Sequence, residues 1–121
     1  MENHVADAVI LSTVLCCVPE TEKQIQIINE IKRILKPGGV LYFTDFLITD
    51  TENYQAKYHR DFEIYKEWGV YQTTENAIVR HFTPAHISHL TQDFQTRWYQ
   101  EETYVTMNKN PVKTFHSILQ M

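Results

Sequence analysis

The sequence predicts an α/β fold with about four strands, helices on the faces of the sheet and a C-terminal antiparallel hairpin. Three observations support this prediction. Two apolar runs of strand length, residues 8–15 and 40–47, enclose one amphipathic helical segment. A Pro-Gly-Gly turn separates that segment from the second run. Two later segments of strand length, residues 95–107 and 113–119, flank an Asn-Lys-Asn-Pro turn signal at 108–111.

The first 47 residues have the pattern of a βαβ unit. Residues 8–15 form a nearly continuous apolar run rich in β-branched residues, which is typical of a strand buried on both faces. Thr21 and Gln24 have the spacing of a capping box, which predicts the start of the helix. Its apolar stripe ends before Pro37, and the strand at 40–47 follows. Such a unit implies parallel strands joined by a right-handed crossover.

The remaining chain predicts two more helices and the hairpin. Aromatic residues recur every three or four positions from Tyr54 to Trp68, which predicts a helix ending before Gly69. Residues 70–82 fit either an extended segment or a hairpin. Thr83 and Pro84 are suited to be the N-cap and first residue of a short helix. We expect one domain over 1–121, divided into a βαβ unit (1–47), a helical substrate-side segment (48–94) and the hairpin (95–121).

The charge, the cysteines and the apolar runs of the sequence indicate where in the cell the protein is located and which partners it can bind. The formal net charge of −4 argues against a general nucleic-acid-binding surface. Cys16 and Cys17 are adjacent, which favours two reduced thiols over a strained disulfide. The apolar run at 5–18 lacks a basic leader and a cleavage pattern, and it is too short to cross a bilayer. We expect a cytoplasmic protein without membrane association.

Several of these elements together resemble a known family. Asp7-Ala8-Val9-Ile10, Val14-Leu15 and the run from Glu30 to Gly39, which ends in Lys-Pro-Gly-Gly, are similar to the second half of class I S-adenosylmethionine-dependent methyltransferases. The family places an Asp before its fourth strand and ends the next helix with Lys-Pro-Gly-Gly. The resemblance continues through the closing helix and hairpin, so it implies the C-terminal half of a Rossmann-like methyltransferase sheet.

The resemblance also implies where the cofactor would lie. The turn after the first strand matches the segment with which the family contacts the methionine end of S-adenosylmethionine. It consists of Ser12, Thr13, Val14 and Leu15. Alternatively, Ser12 and Thr13 only bond nearby backbone groups. The family's glycine-rich cofactor loop has no counterpart here, because the three glycines, at 38, 39 and 69, form no Gly-x-Gly. We therefore expect weak or absent cofactor binding in this chain.

A second similarity concerns the substrate side. Phe43-x-Asp45-Phe46 and Arg80-His81-Phe82-Thr83 are similar to segments of tRNA 3-methylcytidine methyltransferases, although bacterial small-molecule methyltransferases have similar tails. This resemblance is the one indication of a nucleic-acid partner, and it implies that Asp45 lies near the substrate or is paired structurally. Tyr54 and Tyr58 belong to a substrate lid or to the core. Arg80 and His81 form the best polar pair for an anionic group.

The sequence identifies no catalytic residue. No metal site is expected either, because His86 and His89 lack a carboxylate partner at suitable spacing.

Three functions compete on this reading. The first is the C-terminal fragment of a methyltransferase, which we expect to be inactive alone. The second is a non-catalytic homodimeric or ligand-binding half-domain, and the third is one chain of a split methyltransferase. The first strand would lack its inner neighbour in such a half-sheet. We therefore expect a homodimer formed by antiparallel pairing of residues 8–15. We also expect the spatial order first, second, fourth, third for the four strands of the main sheet.

Overall fold

The computed structural model describes residues 2–106 and 109–121. The described segments contain six strands and three helices. In chain order these are β1 (Ala6–Ser12), α1 (Thr21–Ile34), β2 (Leu35–Phe46), α2 (Glu52–Tyr65), β3 (Val70–Gln72), β4 (Ile78–Arg80), α3 (Pro84–Leu90), β5 (Gln95–Val105) and β6 (Pro111–Gln120). A short 3-10 helix, Leu15–Cys17, follows β1.

Four strands form the main sheet in the order β1-β2-β6-β5. β1 pairs in parallel with β2, and β6 pairs in antiparallel fashion with both β2 and β5. The predicted α/β fold and strand order are therefore confirmed. Residues 107 and 108, at the predicted end of β5 and in the predicted hairpin turn, lie outside the described residues.

The segment that the sequence left open, residues 70–82, contains a small hairpin. β3 and β4 pair in antiparallel fashion as a separate two-stranded sheet. The hairpin alternative is thus the correct one. Gly69, directly before it, has a φ of +100°, and a Cβ there would lie 2.4 Å from the carbonyl oxygen of His81. The tight approach of the two chain segments therefore requires glycine.

One face of the main sheet packs against α1 and α3. Phe43 of β2 and Phe115 of β6 meet edge to face, with their ring centroids 5.0 Å apart. Each large apolar side chain buried in this way stabilises the fold by about 1.5–3 kcal/mol. The cluster shared by sheet and helices includes Leu11, Leu41, Phe43, Phe115, Leu119, Ile28, Ile31, Ile87 and Leu90.

The opposite face of the sheet is more open. Ile10, Tyr42, Ile118 and Trp98 form one row across the four strands. The Ile10 side chain is 76% exposed and that of Trp98 is 42% exposed. The prediction that the first strand is buried on both faces is therefore wrong, because its Leu11 face is buried and its Ile10 face is not. A β-branched run does not by itself reveal what covers each face.

The start of α1 differs from the sequence prediction in its cap. The helix begins at Thr21, but Glu20 occupies the N-cap position without a side-chain hydrogen bond. The hydroxyl oxygen of Thr21 instead accepts a hydrogen bond from Arg80 Nη1 at 2.9 Å. The predicted capping box is therefore wrong, since a buried guanidinium takes the threonine oxygen. The cap of α3 is as predicted: Thr83 Oγ1 accepts from the His86 backbone N–H at 3.2 Å, with Pro84 next.

Gln24 is a buried connection between three parts of the fold. Its side chain is completely buried. The amide nitrogen donates to the carbonyl oxygens of Leu15, at 3.3 Å, and Val18, at 2.7 Å. Because that nitrogen is the donor, the amide oxygen accepts from His86 Nε2 at 2.7 Å. Gln24 thus joins α1 to α3 and to the segment that follows β1.

None of the helices in the described part of the chain is long and apolar enough to cross a membrane.

We expect Gln24→Ala to lower the free energy of unfolding by about 3 kcal/mol, because one buried carbonyl, one half-buried carbonyl and one imidazole N–H lose their partner. Chemical denaturation monitored by circular dichroism measures this change. Gln26→Ala, at an exposed position of the same helix, is the control and should change stability by less than about 0.5 kcal/mol. Equal effects of the two substitutions would contradict the role of Gln24.

Candidate functional site

The carboxyl ends of the parallel strands β1 and β2 meet at one edge of the sheet. In open α/β sheets ligands bind outside these ends, so this edge is the first place to look for a site. Ser12 ends β1, Thr13 and Val14 follow it, and all three are exposed, whereas the Leu15 side chain is completely buried in the core. Three of the four predicted cofactor residues are therefore exposed at this edge, and Leu15 is not. Their role in cofactor binding stays a prediction.

Thr13 has an unusual backbone conformation at this edge. Its φ is +51°, in the left-handed region that β-branched residues rarely adopt. Its backbone N–H donates to the carbonyl of Thr44 at 2.9 Å, which ties the turn to β2. Its hydroxyl donates to the Ser12 carbonyl at 2.8 Å, a local bond of the kind that the sequence left open. Strained backbone of this kind tends to be found at functional sites.

Asp45, near the end of β2, holds the 3-10 helix in place through a hydrogen bond to its backbone. Its carboxylate is completely buried, with Oδ2 accepting the Cys16 backbone N–H at 3.1 Å and Oδ1 accepting that of Phe46 at 2.9 Å. Burial raises the pKa of Asp45 to about 6, although the hydrogen bonds from Phe46 and Cys16 act in the opposite direction. Burial, with the nearby Asp45 charge second, also raises the pKa of the Cys16 thiol well above its ordinary value, so this thiol stays protonated.

His81 lies between two tyrosine hydroxyls. Its Nδ1 is 2.7 Å from the Tyr58 hydroxyl, and its Nε2 is 3.2 Å from the Tyr71 hydroxyl. The Tyr58 oxygen also accepts the Thr49 backbone N–H at 3.2 Å. Burial, assisted by the positive charge of Lys57, lowers the pKa of His81 to about 3. The imidazole is therefore neutral at physiological pH.

A cavity of about 150 Å³ opens beside this group. It borders the 3-10 helix through Cys16 and the end of β2 through Phe46, so it adjoins the edge described above. Its walls are formed by Cys16, Phe46, Tyr54, Tyr71, Thr73, Val79, His81, Thr106 and Val112. A larger cavity of about 490 Å³ lies between the start of α1 and the end of α2, and none of its lining residues belongs to β1, the 3-10 helix or β2. We consider the smaller cavity the better candidate because it adjoins the strand ends.

Arg80 faces away from His81. Its Nη1 donates to the Pro19 carbonyl and to Thr21 Oγ1, each at 2.9 Å, and its Nη2 lies 3.5 Å from Glu67 Oε2. The guanidinium thus binds groups of the protein itself. The structure brings Tyr54 and His81 together in the wall of the small cavity, with Tyr58 bonded to His81 behind that wall. It places Asp45 against Cys16 and does not unite Arg80 with His81.

Sequence reasoning missed Tyr71 and Cys16 as site residues. Tyr71 belongs to the segment whose structure the sequence left open. Cys16 was interpreted only as a reduced thiol. The residues next to them in the sequence give no signal of a ligand cavity, because the cavity forms only when the β3–β4 hairpin packs against α2.

The chain matches known methyltransferases in sequence pattern and in fold. A family model described as a methyltransferase domain matches residues 1–43. A S-adenosylmethionine-dependent methyltransferase from Methanosarcina mazei is 28% identical with a TM-score of 0.91; the match covers 99% of this chain and 61% of that protein. No curated protein matches the chain at a significant level. These findings confirm the resemblance to class I S-adenosylmethionine-dependent methyltransferases.

More distant structures share the fold. One is 1,6-didemethyltoxoflavin-N1-methyltransferase from Burkholderia thailandensis, with bound 1,6-didemethyltoxoflavin and S-adenosylhomocysteine. It is 15% identical with a TM-score of 0.66, over 98% of this chain and 44% of that protein. A possible histamine N-methyltransferase from Thermotoga maritima is 16% identical with a TM-score of 0.60, over 99% of this chain and 58% of that protein. This chain therefore spans about half of each of these proteins.

The buried imidazoles make the fold sensitive to acid. Burial lowers the pKa of His81 to about 3 and that of His86 to about 4, from 6.5. Below about pH 6.5 the unfolded chain therefore binds two protons that the folded chain does not, and stability is lost as the pH falls. Asp45, with its pKa raised to about 6, opposes this by taking up a proton in the folded state.

We expect the free energy of unfolding to fall by about 1.4 kcal/mol per pH unit between about pH 6 and 5, the net effect of two histidines and one aspartate. Urea titrations at several pH values measure the slope. His81→Gln should weaken the fold but flatten the slope, whereas His59→Gln, at an exposed position, is the control and should leave it unchanged. An unchanged slope in His81→Gln would disprove the assignment.

Proposed function

We propose that this chain supplies the methyl-acceptor side of an S-adenosylmethionine-dependent methyltransferase. The observation that carries the proposal is the 150 Å³ cavity that borders the 3-10 helix at the ends of β1 and β2. In the proposed enzyme, the segment from Ser12 to Val14 contacts the methionine end of the cofactor. The acceptor must lie next to the transferred methyl group, and the cavity adjoins that segment through Cys16.

The residues of this chain act by positioning. Bound S-adenosylmethionine supplies a methyl group on a reactive sulfonium, so little covalent chemistry is asked of the protein. Asp45 fixes the backbone at Cys16, and Thr13 bonds to β2, so the turn is held rigidly. The walls at Phe46 and Tyr54 exclude water from the acceptor.

The remaining predicted residues support the cavity and the start of α1 structurally. Tyr58 and His81 form the hydrogen-bonded floor beside the cavity. Arg80 acts indirectly, because it holds the Pro19 carbonyl and Thr21 at the start of α1. The proposal assigns no general base, because the buried thiol of Cys16 stays protonated and His81 is bonded on both nitrogens.

We expect these 121 residues to bind S-adenosylmethionine with a dissociation constant no tighter than about 1 mM. No Gly-x-Gly loop is present among them to hold the adenosine and ribose, so contacts from the turn after β1 must offset the cost of ordering the ligand. Isothermal titration calorimetry measures the affinity. Adenosine, which lacks the methionine end, is the matched control and should bind more weakly still. A low-micromolar constant for S-adenosylmethionine would refute the expected contact set.

A second candidate function is a homodimeric half-domain, and the edge of the sheet favours it. β1 pairs with β2 on one side, and on the other side no strand of the described chain pairs with it. Ile10 is 76% exposed on this strand, and no Lys or Pro interrupts residues 6–12. Antiparallel pairing of two copies of β1 about a two-fold axis would extend the sheet to eight strands. A second chain that carries a glycine-rich segment is the competing occupant of the edge.

We expect light scattering of the unmodified chain to give about twice its mass of 14.4 kDa. Ile10→Pro should yield a monomer, because proline disrupts pairing in a strand, whereas Ile10→Val keeps the backbone N–H and should remain dimeric. Circular dichroism verifies that both variants are folded. A stable monomer of the unmodified chain would exclude the homodimer and favour a partner of different sequence.

A further inference from the structure

We infer that the 150 Å³ cavity binds a single flat six-membered ring that carries a hydrogen-bond acceptor, and that the Tyr71 hydroxyl donates to that acceptor. This inference rests on the proposed function, because it names the chemical class of the methyl acceptor. Three observations carry it: the positions of the hydrogen-bond partners around His81, the size and walls of the cavity, and the cation beside it.

The hydrogen bonds around His81 have one self-consistent direction. The Thr49 N–H donates to the Tyr58 oxygen, so the Tyr58 hydroxyl is free to donate its own proton to His81 Nδ1. The neutral imidazole then carries its proton on Nε2 and donates it to the Tyr71 oxygen. The Tyr71 proton remains, and within residues 2–106 and 109–121 it has no acceptor.

The opposite arrangement of donors and acceptors around His81 is energetically less favourable. If Tyr71 donated to Nε2, Nδ1 would carry the proton, and the Tyr58 oxygen would receive both this proton and the Thr49 N–H. The proton of Tyr58 would then lack an acceptor at a side chain that is completely buried and does not line the cavity. A buried donor without a partner is costly, whereas Tyr71 lines the cavity, where a ligand can accept its proton.

The cavity has the size and walls of a ring site. An engineered apolar cavity of about 150 Å³ in another protein holds one benzene molecule. Here Phe46 and Tyr54 contribute aromatic surfaces, and Val79 and Val112 contribute aliphatic ones. A flat ring is the shape that such walls accommodate best.

A positive charge beside the cavity favours a neutral ring with an electron-rich acceptor over a cationic ring. Lys57 Nζ lies 4.9 Å from the ring centroid of Tyr54 and 5.5 Å from that of Tyr71. An ammonium in this position attracts partial negative charge and disfavours a cationic ligand. The ring therefore carries an electron-rich acceptor, such as a ring nitrogen or a carbonyl oxygen, and is not protonated.

Two probes of nearly identical size test the inference: 3-fluoropyridine, which has a ring nitrogen acceptor, and fluorobenzene, which has none. ¹⁹F NMR titration of the 121-residue chain at about pH 8 gives both dissociation constants without S-adenosylmethionine. We expect 3-fluoropyridine to bind about 3–10-fold more tightly, the contribution of one hydrogen bond. Tyr71→Phe should remove this preference and leave fluorobenzene binding unchanged. Tyr104→Phe, at an exposed tyrosine, is the matched control and should keep the preference.

Equal binding of the two probes to the unmodified chain, or binding of neither, would overturn the inference. Val79→Phe is a second variant that fills the cavity, and it should weaken both probes together. If it weakens neither, the probes bind elsewhere and the assignment of the cavity is wrong. Since the titration contains no cofactor, a failure of ring binding is distinct from a failure of methyl transfer.

Discussion

The fold depends on β2 being hydrogen-bonded along both of its edges. It pairs in parallel with β1 and in antiparallel fashion with β6, which enters from the other end of the chain. These two pairings place the end of β1, the end of β2 and the beginning of β6 at one edge of the sheet. Cys16, Phe46 and Val112 come from these three places and line the same cavity. The candidate site is therefore a direct consequence of strand pairing.

Buried polar groups then fix the elements around that edge. Asp45, Gln24 and His81 come from different elements, and each bonds to the segment that follows β1, to a neighbouring helix or to β3. Leaving such groups unpaired in the interior costs more than their bonds contribute, so each restricts how its neighbours pack. Purely apolar contacts at the positions of Asp45 and Gln24 would stabilise the fold but would not fix the position of the segment that follows β1.

The sequence predicted the fold better than the site, and particular residues explain why. The apolar period and the Thr83-Pro84 cap are local signals, and the elements they mark are present in the structure. The predicted turn at Pro37-Gly38-Gly39 is wrong, because α1 already ends at Ile34 and these three residues lie inside β2, next to an irregularity in its pairing with β1. Gln24 was interpreted as part of a cap, but the residues it bonds are 6, 9 and 62 positions away. His81 likewise bonds tyrosines 23 and 10 positions away. Such pairings follow from tertiary packing, which no periodicity in a single sequence encodes.

The interior position of β6 has a consequence for how the protein is made. β6 is the last of the six strands along the chain, yet it lies between β2 and β5 in the main sheet. On the ribosome, β5 is therefore complete before the strand that connects it to the rest of the sheet has emerged. Until then the nascent chain exposes unpaired strand edges, a state prone to aggregation. Deletion of the ten residues of β6 would leave the main sheet in two unconnected parts, β1–β2 and β5.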